Sequence, residues 1–338
     1  MQVLLGGYTA NSSKGIYAGS LHLAQDHPSV ENVQNIIKVE RPTYFQVDDD
    51  LLITIIQDGD QAGIASYKKD KDTYKQVDTF FHPGAAPAYV GLDRTNHLIF
   101  TANYHLATLS VFTYDQTGHL TFITKTQHKG NGPRPEQEAA HPHYFDRTPK
   151  GHLVSCDLGT DRVDFYDFKD NKLIHLASYQ MEAGFGTRHL TFSPDGKTMF
   201  IVGELSSQVN VAYLNEDNWT FENIATYKTI PDSYEGHNGA AAIRLSKDGN
   251  FLYVSNRGDD SLVVFKVKPD SQLELIQRIS TFGAFPRDFN WDKTQKLLVA
   301  ANQNTNNATL YTRNEKNGTL TPIQKNISAP EATCVQFI

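Results

Sequence analysis

"TRHLTFSPDGKTMFIVGEL", residues 187–205, and "AAAIRLSKDGNFLYVSNRG", residues 240–258, share one rhythm. Each runs six residues, then Ser-x-Asp-Gly, then an apolar stretch, then polar residues. Arg188 and His189 stand where the second copy has Ala241 and Ala242. The rhythm continues along the chain. Openings of six residues begin at 42 (PTYFQV), 87 (PAYVGL), 142 (PHYFDR), 187, 240, 286 (PRDFNW) and 332 (ATCVQF), separated by 45, 55, 45, 53, 46 and 46 residues. The fourth residue of every opening is apolar: Phe45, Val90, Phe145, Leu190, Ile243, Phe289 and Val335.

After each opening comes a second strand-like run, such as LLITII at 51, LIFTAN at 98 and FLYVSN at 251. A third follows a polar turn, such as LSVFTY at 109 and LVVFKV at 262. Fourth runs are weaker, as in LTFITKTQ and LELIQRIS. Asp-Gly at 195–196 and 248–249 suits a tight turn, and helical periodicity is nearly absent. Four strands per unit of this length predict an all-β, seven-bladed β-propeller. The seventh opening ends with the chain at 338. QVLLGGYT, GIYAGSLH and VQNIIKV near the N-terminus match the three missing strands, so residues 1–41 complete the last blade. A single domain over 1–338 follows from this reading.

The totals are compatible with that fold and exclude other classes. Apolar residues make up 39% and charged residues 20%, and the net charge of −7 argues against wholesale nucleic-acid binding. The longest clean apolar run, LLITII, is too short for a membrane span. MQVLLGGYTA lacks the basic flank of a signal peptide. Cys156 and Cys334 have no metal-site spacing and form no disulfide framework. A reduced, cytoplasmic protein is expected. There is no GxxxxGK[ST], no GxSxG and no HExxH.

Where a first strand begins it lies beside the end of its antiparallel second strand. The second residues of the openings are Thr43, Ala88, His143, Arg188, Ala241, Arg287 and Thr333. The matching strand ends bring Gln57, Asn103, Asp157, Glu204, Asn256 with Arg257, and Asn302 with Gln303. Both sets are predicted to meet at one mouth of the propeller. The two longest spacings come from HKGNGPRPEQEAAHPH (128–143) and TIPDSYEGHNGAAA (229–242), loops that rise on that same face.

QEAAHPHYF (137–145), CDLGTD (156–161), GTRHLTFSPDGK (186–197), GELSSQV (203–209), SKDGNFLYVSNRGDDSLVVF (246–265), FPRDF (285–289) and NQNT (302–305) carry a resemblance over essentially the whole chain. The chain resembles the lactonase family of seven-bladed propellers, which includes propeller-type 6-phosphogluconolactonases and carboxymuconate-lactonising enzymes. The chain departs from the family in having Thr187 where proline is usual and Glu136 where a basic residue is usual. Arg134 is a substitute for that basic residue.

The resemblance implies a catalytic set of His143, Arg188, Glu204 and Arg257. It implies no cofactor, no required metal, and a small anionic lactone as partner, with 6-phosphoglucono-1,5-lactone foremost. Lactone hydrolysis needs a base for water and donors for the oxyanion, and an anionic substrate suits arginine's bidentate fork. His143 or Glu204 is then the base, and Arg188 and Arg257 hold anion and oxyanion. His141 and Asp157 orient them, and His189, Arg287, Asn256 and Gln303 are further substrate contacts.

Plainer readings exist for each. Arg188 with Glu204 reads also as an ion pair between strands, and Arg257 as a turn residue pairing Asp259 or Asp260. A lactonising cyclase and a non-catalytic binding propeller are the alternatives. A metal-dependent lactonase using Glu204, Asn103, Asn256 and Asn302 as oxygen ligands ranks lower, because two arginines repel a dication.

Overall fold

The Ser-x-Asp-Gly signature folds as a closed turn. The Gly196 N–H donates to the Ser193 carbonyl at 2.9 Å, and Ser193 Oγ donates to Asp195 Oδ1 at 2.6 Å. Gly196 has φ +71°, a left-handed conformation that glycine reaches without a Cβ penalty. Ser246, Asp248 and Gly249 repeat the arrangement, with Gly249 at φ +75°. The recurrent motif is therefore the hinge between the first and second strand of a sheet.

The computed structural model describes residues 1–23, 27–71 and 73–338. The chain forms seven four-stranded antiparallel sheets, the blades of a seven-bladed β-propeller. In repeat order, blades 1 to 7 begin with Phe45–Asp48, Tyr89–Asp93, Pro142–Arg147, Thr187–Phe192, Gly239–Leu245, Pro286–Trp291 and Ala332–Phe337. The second strands are Leu51–Asp58, Leu98–Asn103, Leu153–Asp157, Thr198–Gly203, Phe251–Arg257, Leu297–Asn302 and Gln2–Gly7. In blades 1 and 2 the strand starts two or three residues after the opening proline, Pro42 or Pro87, which has no N–H for a ladder. The only helix among the described residues is the 3-10 turn Pro135–Gln137.

Blade 7 closes as the sequence predicts. Ala332–Phe337 pairs with Gln2–Gly7, with Leu5 opposite Val335 and Val3 opposite Phe337, and Gly15–His22 and Ser29–Lys38 complete the sheet. Glu331 fixes this junction. Its carboxylate accepts backbone N–H groups of Asn11, Ser12 and Ser13, each at 3.0 Å.

Two compact units emerge from the packing. One comprises Tyr44–Ser206 and Ala212–Asn223, and the other Met1–Thr43, Ser207–Val211 and Ile224–Ile338. Within the first, successive sheets bury interlocking rows: Ile53, Ile55 and Ile64 against Val90 and Ile99; Phe100 and Val111 against Phe145; Val154 and Phe165 against Met199 and Ile201. Within the second, Tyr253 and Val264 pack on Phe289 and Leu298, and Val3 and Leu5 on Val299 and Leu310. All seven repeated apolar residues of the openings are buried, five of them completely. Each buried side chain of this size contributes about 1.5–3 kcal/mol.

Candidate functional site

The first strands of blades 3 to 7 are irregular at one shared place. In blade 3 Pro142 faces Asp157 and Tyr144 faces Cys156, so His143 is an extra residue. In blade 4 Thr187 faces Gly203 and His189 faces Val202, which leaves Arg188 extra. Arg287 in blade 6 and Thr333 in blade 7 are extra in the same way, and blade 5 shifts between Ala240 and Ile243. A β-bulge bends its strand and re-aims the unpaired side chain. The residues that break the chemical monotony of the repeat are the ones the backbone lifts out of the ladder.

In the unit built from blades 1 to 3 and most of blade 4, these side chains form one cluster. Arg188 Nε lies 2.9 Å from Glu204 Oε2. Arg188 is 3% exposed, whereas the Glu204 side chain keeps 22% of its surface open. His143 Nδ1 and His189 Nε2 are 3.1 Å apart, both rings buried. One nitrogen donates and the other accepts, so at least one imidazole is neutral. Around His189 stand the rings of Tyr144 at 5.3 Å, Tyr89 at 5.4 Å and Tyr44 at 6.4 Å. Tyr89 donates to Asp146 Oδ2 at 2.8 Å. Burial pushes the Asp146 carboxyl up to about 6, against the pull of that hydrogen bond and of the Arg147 N–H.

Tyr104 packs against the imidazoles of this cluster. Its ring stacks on His141 at 4.2 Å and 7°, and meets His143 edge-on at 6.1 Å. Burial, then the charges of Glu204, Glu138 and Glu136, push its phenol up to about 12, so it remains a donor at neutral pH. His141 Nδ1 donates to the Tyr104 carbonyl at 2.8 Å, and its Nε2 is 3.3 Å from Glu138 Oε1. Tyr104 was not among the residues expected from the sequence. The signal was present, because Tyr104 follows strand-end Asn103 as Arg257 follows Asn256 and Gln303 follows Asn302.

Asp157 and Asn256 are both engaged by neighbouring loops. Asp157 is fully buried, and its Oδ1 accepts the backbone N–H groups of His141, Gly159 and Thr160 at 2.8, 3.0 and 3.1 Å. Its Oδ2 is 2.6 Å from His128 Nδ1. Burial opposes its charge, but His128 and the backbone donors outweigh burial and hold the carboxyl below its ordinary range. Asp157 thus acts on the backbone that carries His141. Asn256 is also fully buried, with Oδ1 accepting from Thr229 Oγ1 at 2.7 Å and Nδ2 donating to the Thr229 carbonyl at 3.0 Å. Asn103, weighed with it as a metal ligand, spends its amide on the Ala85 carbonyl and the Leu106 N–H. These strand-end residues staple the neighbouring loop of their own blade.

Arg257, Asn256, Arg287 and Gln303 belong to the other unit. Arg257 is buried; its Nε donates to the Gly239 carbonyl at 3.0 Å and its Nη2 to that of Ala240 at 3.3 Å. Its guanidinium lies over the Phe285 ring at 5.2 Å, and that of Arg287 over Tyr8 at 5.6 Å. Gln303 Oε1 is buried with no hydrogen-bond partner among the described residues.

A second clasp sets the approach to His143 and Arg188. Gln137, completely buried in the 128–143 loop, donates to the Leu158 carbonyl at 2.8 Å and to Asp161 Oδ1 at 2.7 Å. Asp161 also accepts the N–H groups of Gly186 at 2.6 Å and Gly184 at 2.7 Å, just ahead of Arg188. Gly186 sits at φ +72°, and a Cβ there would lie 2.4 Å from Leu205 Cγ. One carboxylate therefore ties together the loops that deliver both bulged residues.

Among the described residues, no group of three or more His, Cys, Asp or Glu is placed to hold a metal ion. No helix among them is long and apolar enough to cross a membrane.

Residues 2–337 match the family model described as Lactonase, 7-bladed beta-propeller. A Bacillus subtilis protein named 6-phosphogluconolactonase is 34% identical over 99% of this chain and 97% of its own length. A crystal structure of a Lactobacillus plantarum protein superimposes with a TM-score of 0.96 at 44% identity, covering 100% of this chain and 99% of that one. The Pseudomonas aeruginosa periplasmic gluconolactonase PpgL superimposes with a TM-score of 0.91 at 28% identity, covering 100% and 98%. By sequence along nearly its whole length, by blade count and by closure, the chain belongs to the lactonase family of seven-bladed β-propellers.

Proposed function

We propose that the chain hydrolyses a small anionic sugar lactone, 6-phosphoglucono-1,5-lactone foremost. The observation that carries this reading is the meeting, on two successive bulges, of a hydrogen-bonded imidazole pair and an arginine–glutamate pair. With Nδ1–H donated to His189 Nε2, His143 carries its lone pair on Nε2 and takes a proton from the attacking water. The hydroxide adds to the lactone carbonyl, and the oxyanion is stabilised by Arg188 and the Tyr104 hydroxyl. The ring C–O bond then breaks, and the imidazolium returns its proton to the leaving oxygen. Glu204 is engaged with Arg188, its Oε2 2.9 Å from the guanidinium Nε. Its part is to hold the guanidinium in place.

Support for Arg257 is the family resemblance; its bonds to Gly239 and Ala240 equally fit a structural post. Arg257→Ala decides between the two, since a structural post lowers the melting temperature and leaves kcat/KM of the folded fraction intact. A cytoplasmic setting belongs to the same proposal and is supported by Cys156 and Cys334, which are free and buried.

The test is a panel of freshly prepared lactones followed against their spontaneous opening: 6-phosphoglucono-1,5-lactone, glucono-1,5-lactone and a carboxylated muconolactone. The phosphorylated lactone is expected to be the best substrate, with the rate unchanged by chelator. Absence of acceleration on every member, with the protein folded, overturns the proposal.

A further inference from the structure

A cleft of about 310 Å³ opens between the sheets of blades 1 and 2 and shares no residue with the Arg188–His143 cluster. One end is a box of three rings. Phe80 and Phe122 stack at 5.6 Å and 12°, and Phe112 meets both edge-on at 5.0 and 5.5 Å. The other end is a polar row. Thr101 faces Ser110 across one strand pair, and Ser110 faces Lys125 across the next. Thr108, one step along, also lines the cleft.

Among the described residues none of the three hydroxyls, on Thr101, Thr108 and Ser110, has a hydrogen-bond partner in the protein, although Thr101 is only 4% exposed. A hydroxyl without a protein partner at this place is left to be satisfied from the cleft itself. Blade packing does not require one here, since the corresponding pair in blade 5 is Val254–Val263. Lys125 makes no ion pair with any described residue, and no carboxylate lines the cleft.

We propose that this cleft is a second small-molecule site, taking a planar aromatic carboxylate of one or two rings. The phenylalanines accept a flat apolar body by stacking and edge contacts, and the volume is at the small end for ligand pockets. The Lys125 ammonium and the Ser110 and Thr101 hydroxyls receive the carboxylate at the opposite end. A sugar phosphate is a poor match, because its hydroxyls would face the aromatic box unpaired. The proposal is independent of the lactone reading, and either can fail alone.

Saturation-transfer NMR and titration calorimetry with 2-naphthoate and benzoate test it, with naphthalene-2-methanol as the uncharged control. Saturable binding of a carboxylate is expected for the wild type and for Arg188→Ala alike. Lys125→Met is expected to weaken it at least tenfold, Phe122→Ala to weaken it, and Ser110→Phe to abolish it. Lactone hydrolysis by Lys125→Met is expected to equal that of the wild type. The proposal is overturned if neither carboxylate binds saturably, or if the alcohol binds as tightly. It is overturned equally if binding disappears in Arg188→Ala yet persists in Lys125→Met.

Discussion

Arg188 is buried at its base and faces a glutamate whose side chain reaches solvent. A guanidinium desolvated to this extent needs its partner, and its planar fork can bind a second anion where an ammonium offers only a point charge. Arg188→Lys is therefore expected to keep the fold and lower kcat/KM by about 10²–10³-fold, the range for losing one preorganised oxyanion donor. Tyr104→Phe removes a single neutral hydroxyl and is expected to cost about tenfold in kcat. Asp146 offers a check on the buried tyrosine layer through pH. Its carboxyl titrates at about 6 in the folded chain, against about 3.9 when unfolded. Between those values the folded state binds more protons, so stability rises as pH falls from about 6 toward about 4. Urea midpoints measured across that window should rise in the wild type and stay flat in Asp146→Asn.

At this scale the sequence shows where a residue breaks the repeat: comparing copies singled out His143, Arg188 and Glu204, which the fold brings into one cluster, while their proposed role came from the family resemblance. Asp157 and Asn256 were less legible, because a carboxylate or amide at a strand end serves equally as a loop staple or as a ligand contact. Only the hydrogen-bond partners separate the two uses. Tyr104 was not singled out because aromatic residues are common in this chain and it lies one residue beyond the strand end at Asn103.

Bulges and clasps decide the chemistry at the level of elements. Each bulge is a one-residue excess, and a sequence with variable loop lengths does not reveal whether the extra residue lies in the strand or before it. The clasp at Asp161 was equally silent: CDLGTD and QEAAHPHYF were both noted, but their joining through Gln137 is a tertiary fact. Asp161→Ala leaves the Gly184 and Gly186 N–H groups without their acceptor and the Gln137 amide with only the Leu158 carbonyl. It is expected to lower kcat more than a tenfold loss while circular dichroism still reports intact sheets. An unchanged kcat would make the clasp purely structural.

The closure of blade 7 has its own test. Burial disfavours the Glu331 charge, yet the N–H groups of Ser13, Asn11 and Ser12 outweigh it and hold the carboxyl below its ordinary range. The stabilisation is then complete above the unfolded carboxylate value and fades as pH falls through the lower folded value. Glu331→Gln is expected to cost about 1–3 kcal/mol at pH 7 and progressively less on acidification. Chemical denaturation at several pH values measures it.

Across the whole molecule, seven copies of one pattern were readable because each copy must bury the same inward rows, and an equivalent position such as Phe145 or Phe289 admits no polar residue. The borrowed last blade was readable for the same reason: one strand at the C-terminus and three at the N-terminus make a complete sheet. We propose that the seven sheets behave as one cooperative domain. Calorimetry should then show a single transition whose calorimetric and van't Hoff enthalpies agree, and two separate transitions would contradict it.

The most direct measurement is the initial rate of opening of freshly generated 6-phosphoglucono-1,5-lactone, above the uncatalysed rate, for the wild type, His143→Ala and Arg188→Ala. Clear acceleration by the wild type, with a loss of about 10²-fold or more in each variant, is the expected result. Equal rates in all three folded proteins would contradict the assignment of this cluster as the place where the lactone is opened.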